Sequence, residues 1–112
     1  MGELESVFRA VADERRRLAL DCVTKHRLLT LPDLAEEVTE RETGESVAGL
    51  PPEKIAETYF SLYHTHVPKL ERADLVRYEQ EDDLVVQADG AAGTLAEARD
   101  ELSMILDEER LE

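Results

Sequence analysis

A single cysteine, Cys22, leaves this chain without an intrachain disulfide. No apolar run reaches the roughly 18 residues of a membrane-spanning helix. The amino terminus, MGELESVFRA, has acids where a secretory leader would have bases. A reduced, cytoplasmic protein with no membrane partner is therefore expected. Aromatic residues make up only 4% of the chain, and bases are outnumbered, 13 to 27 acids, for a net charge of -14. Catalytic signatures are missing too: there is no G-x-S-x-G, no glycine loop to cradle a phosphate, and no carboxylate pair framed by apolar residues. The reading is not an enzyme, and no cofactor is implied.

What is present is 42% hydrophobic content in a periodic arrangement over 112 residues, enough for one compact domain despite the acidity. A folded protein this acidic fits a cytoplasm at molar salt, where repulsion is screened within about 3 Å. The charge is uneven. Residues 1–30 hold six basic and five acidic side chains, whereas residues 31–112 hold seven and 22. From Glu79 onward, 12 acids face only Arg99 and Arg110. An anionic partner is expected to meet the first third of the chain or the long helix described next.

Residues 58–79, TYFSLYHTHVPKLERADLVRYE, read as a helix turning a two-residue corner into a strand. Tyr59, Tyr63, Val67 and Leu70 share one helical face and point it at a core, while Ser61, His64, Thr65, Lys69 and Arg72 lie opposite. Ala73 and Asp74 make the corner, and residues 75–79 have strand character. Pro51 and Pro52 can open this helix, which spans about 53–73, because a proline in the first turn forfeits no intrahelical bond. Pro68 removes an N–H deep inside it and clashes with the carbonyl of His64, so a kink is expected between residues 64 and 68.

Upstream, a helix from about Glu3 to Ala12 carries the stripe Leu4, Val7, Phe8 and Val11. Asp13 can cap a second helix to His26, with Leu18, Ala19, Cys22 and Val23 facing inward. Leu28 to Leu31 suits a short strand. Thr30 and Asp33 form a capping-box-like pair for a helix to about Arg41, with Leu34, Ala35 and Val38 as its core side. The segment ETGESVAGLPPEK then reads as an inserted, mobile loop. Downstream, Glu81, Asp82 and Asp83 turn a hairpin between strands 75–79 and 84–88. Gly90 and Gly93 mark a break, and Thr94 with Glu97 reads as a second capping box opening a last helix, about Leu95 to Arg110. Its Leu95, Ala98, Leu102 and Ile105, with Leu106 beside them, follow a three-four-three seam.

The corner residues resemble a known pattern. Winged-helix regulators of the arsenical-resistance-repressor type end their third helix in a run like H-L-x-x-L-x-x-A-G-L-V, and His66, Val67, Leu70, Ala73, Asp74, Leu75 and Val76 stand at the matching places. Residues 61–70 also match the signature S-L-Y-H-T-H-L-P-K-L of a group of small haloarchaeal winged-helix proteins of unassigned function, except at Val67. The opening ADERRRLALD is similar to the A-D-P-T-R-R motif of such repressors.

The resemblance implies an α+β, mainly helical winged helix-turn-helix: a three-helix core and a two-stranded wing over residues 1–90, and an extra C-terminal helix over 91–112. It implies a homodimer through the terminal helices, by way of Leu4, Phe8, Leu95, Ala98, Leu102, Ile105 and Leu106. It also implies sequence-specific binding of double-stranded DNA in transcriptional regulation. Ser61, His64 and Thr65 fall where base-reading residues would lie, and Lys69 and Arg72 where phosphate contacts would; Lys54, Arg15, Arg16 and Arg17 are further phosphate candidates. The three arginines lie on different sides of their helix, so at most two reach one surface. The alternative is a winged-helix protein-protein interaction module without DNA binding. It is favoured by the Glu-Asp-Asp tip, by Asp74 where the pattern has glycine, and by Glu53 and Glu57 at the start of the long helix.

A metal is not expected. His64 and His66 project about 200° apart on a helix, and Cys22 with His26 supplies too few ligands. His26 and His66 read instead as partly buried, hydrogen-bonded residues.

Overall fold

The computed structural model describes residues 2–111, with side chains over 4–107, so the side chain of Arg110 lies outside the described residues. Among the described residues, six α-helices, a π turn and three short strands follow one another: α1 (Gly2–Ala10), α2 (Glu14–His26), β1 (Leu28–Thr30), α3 (Leu31–Thr43), α4 (Pro52–Ser61), the π turn (Leu62–His66), α5 (Val67–Arg72), β2 (Val76–Glu79), β3 (Leu84–Gln87) and α6 (Ala91–Leu111). The backbone stays helical from α4 through the π turn into α5, making one long helix. The protein is a mainly helical α+β fold with a small antiparallel sheet.

Local chemistry sets the boundaries. Asp13 accepts a hydrogen bond from the Arg16 N–H at the start of α2, and Thr30 accepts one from the Asp33 N–H at the start of α3. Gly44, at φ +76, ends α3 in the left-handed conformation that glycine adopts without cost. The connection that follows is tied down rather than a free loop. The Val47 N–H bonds the Glu40 carboxylate at 2.9 Å, residues 47–49 form a 3₁₀ turn, and Leu50 is buried. Pro52 opens α4.

The sheet has the order β1-β3-β2. Leu29 pairs with Val85 and Tyr78 pairs with Val85 from the other side, so the expected two-stranded hairpin gains β1 as a third strand. Asp74 takes φ +60 at the corner before β2, a conformation aspartate tolerates better than most residues.

Pro68 takes effect through the π turn. The Val67 N–H bonds the carbonyl of Leu62, five residues back, and this wider turn stands where a kink at 64–68 was expected. The inserted residue shifts the buried stripe. Thr58, Leu62, Val67 and Leu70 are buried, at steps of four, five and three, while Tyr59 and Tyr63 sit partly buried at the margin. The hydroxyls of Thr39 and Thr58 meet at 2.8 Å inside the α3–α4 packing, which satisfies both polar groups. Around the long helix the core gathers Val7 from α1, Ala19, Cys22 and Val23 from α2, Leu34 and Val38 from α3, and Leu75 and Val85 from the sheet.

The start of α6 departs from expectation. Gly90, at φ +79, turns the chain, the helix begins at Ala91, and the Thr94 N–H already bonds the Gly90 carbonyl at 3.0 Å. The Thr94 hydroxyl lies against that same carbonyl at 3.2 Å, so Thr94 and Glu97 lie within the helix and do not cap it. Ala91 and Ala98 are buried and Leu95 packs on the core, beside α1. Leu102, Met104, Ile105 and Leu106 are exposed. Among the described residues, no helix is long and apolar enough to cross a membrane.

Candidate nucleic-acid interface

Leu62, Val67 and Leu70 fix the long helix in the core; His64, Thr65, Lys69 and Arg72 are exposed and Ser61 is half-buried, with Lys69 and Arg72 bordering α1 and α2 and His64 lying nearer Tyr78 of β2. A rigid helix anchored on one face holds such donors in place without further ordering on binding. Lys54 is exposed in the first turn of α4. Phe60, 57% exposed, also belongs to this surface, with its ring stacked on His64 at 6.2 Å. Sequence reasoning passed over it because Tyr59 beside it fitted the supposed core stripe.

The three arginines of α2 separate as expected. Arg15 makes a bidentate pair with Glu42 of α3, both bonds at 2.7 Å, and so is committed within the molecule. Arg16 is only 9% exposed, and its Nε donates to the Ala10 carbonyl at 2.6 Å. Its Nη1 lies 3.2 Å from Nδ1 of His66, joining α2 to the π turn. Arg17 is exposed and donates to the Val11 carbonyl. Of the three, Arg17 has the most open position, while Arg16 lines a pocket of about 280 Å³ with Arg9, Lys69 and Arg72. Arg9 left no sequence signal, since only tertiary folding brings α1 to α5.

Burial holds the His66 imidazole below its ordinary pKa; the charges of Arg16, Arg15 and Lys69 act in the same direction, and Asp13, 3.9 Å away, opposes them. His26 bonds Glu37 at 2.9 Å. Cys22 beside them is fully buried, and burial followed by the Glu37 carboxylate pushes its thiol up to about 12, so it stays protonated and unreactive at neutral pH.

The hairpin tip is less acidic toward solvent than its sequence suggests. Asp83, at φ +51, turns inward and accepts from the hydroxyls of Tyr59 at 2.8 Å and Tyr78 at 2.5 Å. Tyr63 stacks on Tyr59 and meets Tyr78 edge-on. This cluster fastens the hairpin to the long helix and raises both hydroxyl pKa values: for Tyr59 the bond to Asp83 is the leading cause, and for Tyr78 it is burial. Glu81 and Asp82 remain exposed at the tip.

The residues expected at a dimer interface divide into two sets. Ala98 is buried, and Leu4, Phe8 and Leu95 pack on the chain's own core, while Leu102, Ile105 and Leu106 stay exposed. No curated protein and no solved structure matches the chain. A family model described as a domain of unknown function, DUF7344, matches residues 8–86, from α1 to the end of the hairpin, and the chain belongs to that family.

Proposed function

We propose that the protein is a sequence-specific DNA-binding transcriptional regulator of the winged helix-turn-helix type. In this reading α3 and the long helix form the helix-turn-helix, the β2–β3 hairpin is the wing, and a homodimer forms through the exposed seam of α6. The observation that carries the reading is the set of accessible polar side chains on the long helix, His64, Thr65, Lys69 and Arg72 exposed and Ser61 half-buried, on a helix fixed in the core by Leu62, Val67 and Leu70. Ser61 and His64 can donate to base acceptors, and Thr65 can hydrogen-bond or touch a thymine methyl. The likeness of residues 66–76 to repressor-type winged helices, and of residues 61–70 to the haloarchaeal winged-helix signature, supports it. The inward turn of Asp83 leaves two exposed acids at the wing tip instead of three, Glu81 and Asp82. With few phosphate contacts, affinity should fall gently with salt.

The alternative, a protein-interaction module, is favoured by Phe60, an exposed ring on the outward face. One experiment separates the two: fluorescence anisotropy with fragments of DNA flanking the protein's own gene, over several potassium chloride concentrations with random-sequence competitor. Retention of one fragment over competitor, lost in His64→Ala and Thr65→Ala, is the expected result. Absence of fragment preference at every salt concentration would overturn the regulator reading and leave the interaction module.

A further inference from the structure

We infer that the pocket between α1, the start of α2 and α5 is a binding site for a tetrahedral oxyanion of the phosphoryl class. Four cations border it, Arg9, Arg16, Lys69 and Arg72, with the hydroxyl of Ser6, and no carboxylate is among the lining residues. In a chain with 27 acids and 13 bases, a random patch would be acidic, so this sign reversal is a local feature of the fold.

The cations are available to a ligand. Among the described residues Arg16, Lys69 and Arg72 form no ion pair, and Arg9 pairs only with Glu5, a contact between two exposed side chains that water screens. Arg16 is the decisive member. Its guanidinium is buried, and its partners are the neutral carbonyls of Ala10 and Arg9 and the ring of His66. Among the described residues no carboxylate is in ion-pair contact with it, Asp13 acting on it only at longer range, so an incoming anion would offset the cost of its burial while gaining charge-assisted hydrogen bonds. Arg16 is thereby held in position before the ligand arrives, whereas Lys69 and Arg72 are exposed and able to close over it. A volume of about 280 Å³ admits phosphate or a small phosphorylated molecule.

The same chemistry belongs to a free anion and to a backbone phosphate of DNA, and the test separates them. Inorganic phosphate is titrated into the full-length chain by calorimetry, with potassium chloride adjusted to hold ionic strength constant. Saturable binding of one phosphate per chain is expected, weakened about tenfold or more by Lys69→Gln and by Arg72→Gln, which replace single charge-assisted contacts. Lys25→Gln, an exposed position in the last turn of α2 and outside the pocket, should leave it unchanged. Both substituted side chains are exposed, and circular dichroism would verify that the variants fold.

In a second arm a duplex is titrated with and without saturating phosphate. Duplex affinity untouched by phosphate and by the two pocket variants assigns the site to a free anion. Competition, with both variants weakening the duplex, assigns it to a backbone phosphate. The proposal is overturned if phosphate binds in neither arm, or if it binds with equal affinity to wild type and both pocket variants. The phosphate arm requires no DNA binding, so it can succeed where the regulator reading fails.

Discussion

Leu70 and Leu102 are the same residue on two helices, yet Leu70 is fully buried while Leu102 is 48% exposed. The contrast separates the body of the molecule from the distal half of α6. In the body, each apolar stripe is closed by a neighbouring element: α2, α3, the sheet and the long helix cover one another. The stripe of α6 is closed only at its start, through Ala91, Leu95 and Ala98, and then continues past the body uncovered. A radius of gyration of 15.3 Å and a longest dimension of 50 Å reflect that projection, since a compact domain of this length would have a radius near about 13 Å. A hydrophobic seam therefore reports that a surface seeks cover, and tertiary structure decides whether the chain itself provides it.

The largest expected effect tests that contrast with one substitution made in two places. Leu70→Ala should cost about 2–5 kcal/mol, because it leaves a cavity in a close-packed core. Leu102→Ala should fall within about 0.5 kcal/mol of wild type when the protein is dilute enough to be monomeric. Urea unfolding followed by far-ultraviolet circular dichroism measures both. Equal losses would mean that α6 is packed into the body in solution and that the distinction is wrong.

A smaller effect probes how dry the body is where α1, α2 and the π turn meet. His66 has a lowered pKa because its ring is buried, with Arg16 and Asp13 beside it. Below its ordinary value of 6.5 the unfolded chain takes up a proton that the folded chain still refuses. Unfolding is thus favoured progressively as pH falls from 6.5, until the folded pKa is reached. Wild type should lose more stability than His66→Gln between about pH 7 and pH 5, the range in which histidine charges. Parallel losses in the two proteins would show that water reaches His66 freely and that this corner is as open as the end of α6.

Much of the body was legible in the sequence because its signals are local. Asp13, Thr30 and Pro52 act through neighbouring residues, and the helix starts they mark are found in the structure. The long helix was legible in extent but not in phase. Tyr59 and Tyr63 fit a regular four-residue repeat, whereas the buried residues are Thr58 and Leu62, because the π turn adds a residue before Val67. The irregular run from Leu62 to Val67, followed directly by Pro68, is the trace of that insertion. Thr58 was hidden by its polarity: its hydroxyl donates to the Lys54 carbonyl one turn back and accepts from that of Thr39, 19 positions away, and only folding supplies the second partner. The same limit applies to the surface. Ser61, His64, Thr65, Lys69 and Arg72 follow from one helix and could be read from it. The pairing of Arg15 with Glu42, the inward turn of Asp83 and the meeting of Arg9 with Arg72 each join segments that are distant in sequence.

The smallest effect on the stability of the body is expected from Leu102→Asp, although it should change the assembly most. Ile105 and Leu106 lie three and four residues after Leu102, so the three form one strip on α6, and all three are exposed. Two copies meeting about a twofold axis would each cover the other's strip, an arrangement that adds apolar burial without altering either body. An aspartate at position 102 would place a carboxylate in that seam, where desolvation disfavours it, yet in a separate chain it would remain in water. Light scattering should therefore report a dimer for wild type and a monomer for Leu102→Asp, with far-ultraviolet circular dichroism unchanged. A dimer that survives the substitution would move the interface off this strip, and a wild-type monomer would mean that the end of α6 is covered by something other than a second copy of this chain.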